Sequence, residues 1–239
     1  MAPGLDVHFA RRLEDGASLS MLWWRAPEPL RAVSTALVGG GIGTIGWYLN
    51  AQVHADYART DPDDHLAALA RGCGLTGPGV GMLTAVDVTT VERAEEDGVH
   101  VLATVGLGWP TWAAAADGQA TVGVPPPGTI NLFVAVPAPL GDAALVNLVA
   151  TATEAKVQAL QEADVQGTGT ASDAVCVACP APTGGSADHA DHTGRFGGPR
   201  SHWGARVARA VHRAVSRGAA ADWDRAVAGG WPRPPRQHG

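Results

Sequence analysis

The segment TATEAK, residues 151–156, is followed by a glycine–threonine turn, GTGTASDAV, at residues 167–175. Lys156 is the only lysine in the chain; every other fixed positive charge is an arginine. Helical spacing places Leu145, Leu148, Val149, Ala152, Ala155, Ala159 and Leu160 on one apolar stripe, with Lys156 near its centre. A lysine in that position must snorkel, pair with an acid or face a cavity. Glu154 lies roughly half a turn away around the helix, so the two do not pair within it. The following turn offers the hydroxyls of Thr168 and Thr170, N–H groups freed by glycine, and Asp173 at the mouth of a strand. Backbone of this kind cradles an oxyanion or an amide. Its plainer reading is an ordinary helix-to-strand connection beside a structural lysine.

These groups need a scaffold, and the pattern supplies one. SLSMLWW (18–24) and RAVSTALV (31–38) read as strands joined by a proline-containing turn, and GGGIGTIGWYLNAQV (39–53) as a glycine-rich loop entering a strand. Residues 60–74 predict a short helix that Asp61 caps and Pro62 opens. Strands are expected at 77–88, 99–107 and 128–136, a helix at about 142–162, a strand at DAVCVAC, and an amphipathic helix at 201–218 capped by Ser201. Cys176 and Cys179 stand three apart on a strand, so their thiols point to opposite faces and make neither a redox pair nor a zinc site. The expectation is one α/β (α+β) domain over residues 1–228, a mixed sheet flanked by helices, with a disordered tail at 229–239.

Composition narrows the partners. Of the 239 residues 46% are hydrophobic and 17% charged, enough apolar material for a sizeable core. The net charge is −6, and no basic stripe appears apart from the arginines near the C-terminus, which speaks against nucleic acid. There is no run of 18 apolar residues and no signal-peptide core, so a cytoplasmic protein with no membrane partner is expected. The arginine-bearing helix 201–218 is a candidate surface for a homo-oligomer.

GTINLFVAV, TATEAK and GTGTASDAVCVA together resemble the C-terminal half of the adenosylcobinamide amidohydrolase family. STALVGGGIG, LNAQV, RTDPDDHLAALARG and GPGVGMLTAVDV resemble its N-terminal half, and FGGPRSHWGARVARAVHRAV its closing segment. The blocks run in order from about residue 31 to 216. The closing block departs from the family at Arg200 and Ser201, where a His-Thr pair is common. The resemblance implies a corrinoid-salvage enzyme that cleaves the aminopropanol amide of adenosylcobinamide, giving adenosylcobyric acid and 1-amino-2-propanol. It implies no required cofactor, since the substrate carries the cobalt. The alternative is a non-catalytic corrinoid-binding or carrier protein of the same shape. A fainter resemblance, to the aminopeptidase and ornithine acetyltransferase group, implies a helix–sheet–sheet–helix sandwich.

Amide hydrolysis needs an activated nucleophile or water, donors for the oxyanion, and an acid for the leaving amine. The chain has no G-x-S-x-G elbow and no HExxH. The catalytic candidates are therefore Glu154 or Asp173 as base, Lys156 as electrostatic partner or acid, and Thr168 and Thr170 as oxyanion donors or nucleophile. The candidate substrate contacts are Asn50 and Asn131, which can orient the amide, with Ser34, Gly40, Gly41 and Trp47 in the N-terminal blocks. Tyr48 and Tyr57 are further aromatic candidates beside Trp47, against a plain core role. His189 and His192 form an HxxH in a Gly/Ser-rich loop, which reads as a solvated mobile segment, and no metal site is expected.

Overall fold

The computed structural model describes residues 5–115, 128–181 and 194–228. Eight strands form one mixed sheet: β1 (Val7–Glu14), β2 (Ala17–Ser34), β3 (Gly41–Gln52), β4 (Val80–Thr84), β5 (Glu92–Glu96), β6 (Val99–Val105), β7 (Ile130–Ala135) and β8 (Ala174–Pro180). The helices are α1 (Pro62–Gly72), α2 (Asp142–Glu162) and α3 (His202–Ala228). The strand order is β4-β3-β2-β8-β7-β6-β5, with β1 added to β2.

The two strands expected at 18–24 and 31–38 are one long strand, β2, and the predicted turn is a change of partner. β1 pairs with β2 only as far as Trp24, and β8 joins it only from Leu30. Pro27 and Pro29 fall in that gap, where the β2–β3 register also shifts between Arg25 and Leu30. A proline cannot donate to a ladder, so it is tolerated where the ladder is interrupted. β2 thus belongs to two half-sheets, and these fold over one another. Tyr48 of β3 lies 4.7 Å from the ring of Phe133 on β7, although β2 and β8 separate their strands within the sheet.

Period-two alternation then sorts every strand. Leu22, Trp24, Tyr48, Met82, Phe133 and Cys176 face inward between the half-sheets. Ile130, Leu132 and Val134 of β7, with Val175, Val177 and Cys179 of β8, face α2 and α3. Leu49 and Ala51 of β3 face Leu66 and Ala70 of α1 on the other outer side. The layering is helix–sheet–sheet–helix. Cys176 and Cys179 lie in different cores, as their spacing requires. Burial pushes the Cys176 thiol up to about 12, partly offset by the Ser34 hydroxyl, and the Cys179 thiol up to about 11.

Two hairpins are absent from the expected element list. β1–β2 turns at Asp15-Gly16 and β5–β6 at Asp97-Gly98, all four residues with positive φ. An Asp-Gly pair is a strong two-residue hairpin signal, but the charged strands VHFARRLE and ERAEE hide it from a hydrophobic-pattern reading. Edge strand β5 is covered by α3. Arg209 and Arg213 pair with Glu96, Arg217 pairs with Glu92, and Arg213 and Arg217 also donate to the Glu95 and Arg93 carbonyls. The arginines offered by the sequence to a partner are thus engaged within the chain, and they blunt an otherwise open edge. α3 runs well past the predicted 218, and Ser201 Oγ accepts from Gly204 N at 3.0 Å at its start. The expected tail at 229–239 and the His189/His192 pair lie outside the described residues.

Candidate active site

Lys156 lies on the buried stripe of α2, among Ala152, Ala155 and Ala159. It neither snorkels nor stands free: its Nζ donates to Asp173 Oδ2 at 2.5 Å, and the two side chains are only 8% and 11% exposed. Asp173 accepts three further bonds. Thr170 N reaches Oδ2 at 3.2 Å, while Thr170 Oγ1 at 2.5 Å and Ile130 N at 2.9 Å reach Oδ1. Both carboxylate oxygens are thus shared between two donors each, which fixes the carboxylate in place. Gly169 makes the approach feasible, because a Cβ there would sit 2.2 Å from Asp173 Oδ2 and 2.5 Å from Lys156 Nζ.

The other sequence candidates are placed as follows. Glu154 is exposed on α2 and is not brought to this cluster, since residues two apart on a helix diverge. Thr168 is spent elsewhere: its Oγ1 accepts from Ala113 N at 3.0 Å and donates to the Thr111 carbonyl at 3.3 Å, tying the turn to residues 111–113. Of the five catalytic candidates, Lys156, Thr170 and Asp173 are brought together as one bonded cluster, and Asp173 alone of the five is among the walls of the cavity beside it. Ser34 is buried, and its Oγ accepts from Ala36 N.

Gly40 and Trp47 line a separate cavity of about 580 Å³ against α1, with Trp47 Nε1 donating to the Gly77 carbonyl at 3.1 Å. Gly41 opens β3 with φ of 86° and lies outside that lining. Tyr48 is fully buried between the half-sheets, and burial pushes its phenol far up. Tyr57 bonds to His65 Nδ1 at 2.9 Å.

A second cavity, of about 350 Å³, opens beside the lysine–aspartate pair. Asp173, Ser172, Asn131, Thr35, Leu37 and Leu83 are among its walls. Two hydroxyls missed by sequence reasoning meet here. Thr129 Oγ1 and Ser172 Oγ are 2.8 Å apart; Ser172 is exposed to the cavity, and Thr129 is 6% exposed. Their signal in the sequence was adjacency. Thr129 precedes Ile130, whose N–H is held by Asp173, and Ser172 precedes Asp173 itself. The lysine–aspartate pair therefore pins the two backbones that carry the hydroxyl pair. Asn50 and Asn131 lie opposite each other across the half-sheets: Asn131 Nδ2 donates to Asn50 Oδ1 and Asn50 Nδ2 to Thr104 Oγ1, each at 2.9 Å. Among the described residues no group of three or more His, Cys, Asp or Glu is placed to hold a metal.

Comparison with known proteins gives a consistent outcome. Residues 7–226 match the family model described as adenosylcobinamide amidohydrolase. A curated adenosylcobinamide amidohydrolase of Methanosarcina mazei is 29% identical over 188 residues, covering 78% of this chain and 88% of that protein. One from Halobacterium salinarum is 43% identical over 90 residues, 38% of this chain and 35% of that protein. Among solved structures, a Burkholderia sp. beta-aminopeptidase aligns with a TM-score of 0.47 at 19% identity, over 98% of this chain and 94% of that one. The L-aminopeptidase D-Ala-esterase/amidase of Ochrobactrum anthropi aligns with a TM-score of 0.42 at 13% identity, over 91% and 84%.

Proposed function

The chain belongs to the adenosylcobinamide amidohydrolase family, and we propose from that premise that it hydrolyses the aminopropanol amide of adenosylcobinamide in corrinoid salvage. Water is consumed, the C–N bond of the amide breaks, and adenosylcobyric acid and 1-amino-2-propanol leave. The cobalt arrives and departs with the substrate. The reading places this reaction in the cytoplasm; no helix among the described residues is long and apolar enough to cross a membrane.

The observation that carries the reading is the Thr129–Ser172 hydroxyl pair at the cavity beside Asp173. Asp173 has both oxygens engaged and Lys156 is engaged with it, so these two groups act by position and charge. They hold the 128–130 and 169–173 backbones in register, and the hydroxyl pair supplies the attacking oxygen. Attack on the amide carbon forms an ester as the C–N bond breaks. The hydroxyl proton finishes on the departing nitrogen, and water then cleaves the ester to the free acid. The exposed Leu37 at the cavity edge gives the corrinoid an apolar contact.

The test is purified protein incubated with adenosylcobinamide, with 1-amino-2-propanol followed by mass spectrometry. Release is expected from the parent protein, with a loss of about 10²-fold or more in either Ser172→Ala or Thr129→Ala. The variant that abolishes turnover while retaining corrinoid binding identifies the attacking oxygen. Binding by the parent protein without any release would establish a carrier instead.

A further inference from the structure

Asn131 is the second residue of β7, and its side chain enters the space between the half-sheets at 1% exposure. Nδ2 donates twice, to Asn50 Oδ1 and to the Leu83 carbonyl, each at 2.9 Å. Asn50 is held in turn by the Thr104 hydroxyl. Both Asn131 N–H groups are therefore committed, and the orientation of the amide is fixed. Turning it over would set Oδ1 against the Leu83 carbonyl, which can only accept. Oδ1 has no hydrogen-bond partner among the described residues. Asn131 and Leu83 both wall the 350 Å³ cavity that also holds Ser172 and Asp173.

A buried amide oxygen left unpaired costs free energy unless a donor meets it. Because it accepts and cannot donate, Oδ1 does not serve an oxyanion, which needs donors. The donor it fits is an N–H or O–H of the ligand. The hydrolytic reading, on which this inference rests, puts an amide N–H directly on the carbon that the hydroxyl pair attacks. We propose that Asn131 Oδ1 accepts the N–H of the scissile amide, so that the site selects secondary amides over esters of the same acid. An ester oxygen in that place would set two acceptors against each other and leave the buried oxygen unpaired.

The experiment compares kcat/KM for the aminopropanol amide, for the ester of the same corrinoid acid with propane-1,2-diol, and for the amide lacking the hydroxyl. Each is measured with the parent protein and with Asn131→Ala. The intrinsic reactivity difference of ester and amide cancels between the two proteins. The ester-to-amide ratio is expected to rise about tenfold or more in Asn131→Ala, and the amide lacking the hydroxyl should follow the parent amide. Equal losses for amide and ester would make Asn131 purely structural and overturn the proposal. A rise seen only with the amide lacking the hydroxyl would assign Oδ1 to the hydroxyl and overturn it as well. Should Asn131→Ala fail to fold, the N-methylated amide is tested on the parent protein. Retention of its rate within about threefold of the secondary amide overturns the proposal, and a loss of about tenfold or more supports it. Release of amine from no substrate by the parent protein would instead overturn the hydrolytic reading, and this inference with it.

Discussion

Replacing Lys156 with methionine keeps the length of the side chain and removes its charge. On the apolar stripe of α2 the methionine has room, but Asp173 loses the cation 2.5 Å from its Oδ2. The aspartate is 11% exposed and keeps three donors, from Ile130 N, Thr170 N and Thr170 Oγ1. Breaking a buried ion pair from one side costs about 3–5 kcal/mol, and the surviving donors put this case near the lower end, about 3 kcal/mol. For a chain of this length that corresponds to a melting temperature lower by roughly 6–12 °C. Urea unfolding of parent and Lys156→Met, followed by circular dichroism, measures the loss directly. Amine release should fall with it, because the same pair holds the backbones that carry Thr129 and Ser172. Adding Asp173→Asn removes the uncompensated charge and should make the double variant more stable than the sum of the single losses by about 1 kcal/mol or more. A Lys156→Met protein within about 1 kcal/mol of the parent, with turnover about 10²-fold lower, would refute the structural argument. It would return Lys156 to a direct part in the chemistry.

Two further outcomes are expected. Gly169→Ala should cost about 1–3 kcal/mol and most of the activity, because its Cβ would sit against both Asp173 Oδ2 and Lys156 Nζ; parent-like melting and turnover would show that the turn yields freely. Acid should destabilise the protein in part through Glu14 and Asp87. Burial alone would raise both carboxyls, but Arg12 and His65 at Glu14, and Ser20, Thr89 and Arg11 at Asp87, hold them below their ordinary 4.5 and 3.8. Their contribution is therefore present above those values and is lost as pH falls through the lower folded ones. Urea unfolding at about pH 6 and about pH 3 should show that loss, reduced in Asp87→Asn; stability independent of pH across the window would contradict it.

The main elements were legible because each rests on local chemistry. The period of 3.6 in residues 145–160 marks α2, the short β-branched apolar runs GTINLFVAV and DAVCVAC mark β7 and β8 as strands buried on both faces, and strand parity sends Cys176 and Cys179 to opposite faces. The oddity of Lys156 was also local, since a charge on an apolar stripe demands a partner wherever the helix packs. Which partner was a matter of tertiary structure. Asp173 reaches Lys156 because β8 and α2 lie against each other, and Glu154, nearer in sequence, turns to solvent. The Thr129–Ser172 pair depends on β7 and β8 running parallel side by side, a pairing that no local pattern specifies. The helix–sheet–sheet–helix layering was anticipated only through the resemblance to the aminopeptidase and ornithine acetyltransferase group; local pattern hid the fold-over, because β2 changes partner at Pro27 and Pro29, which locally read as a turn. Propensity and periodicity act over a few residues and set the faces of each element. The site is assembled from residues 50, 129, 131, 156 and 172–173, and only the packing of strands and helices distant in sequence brings them together.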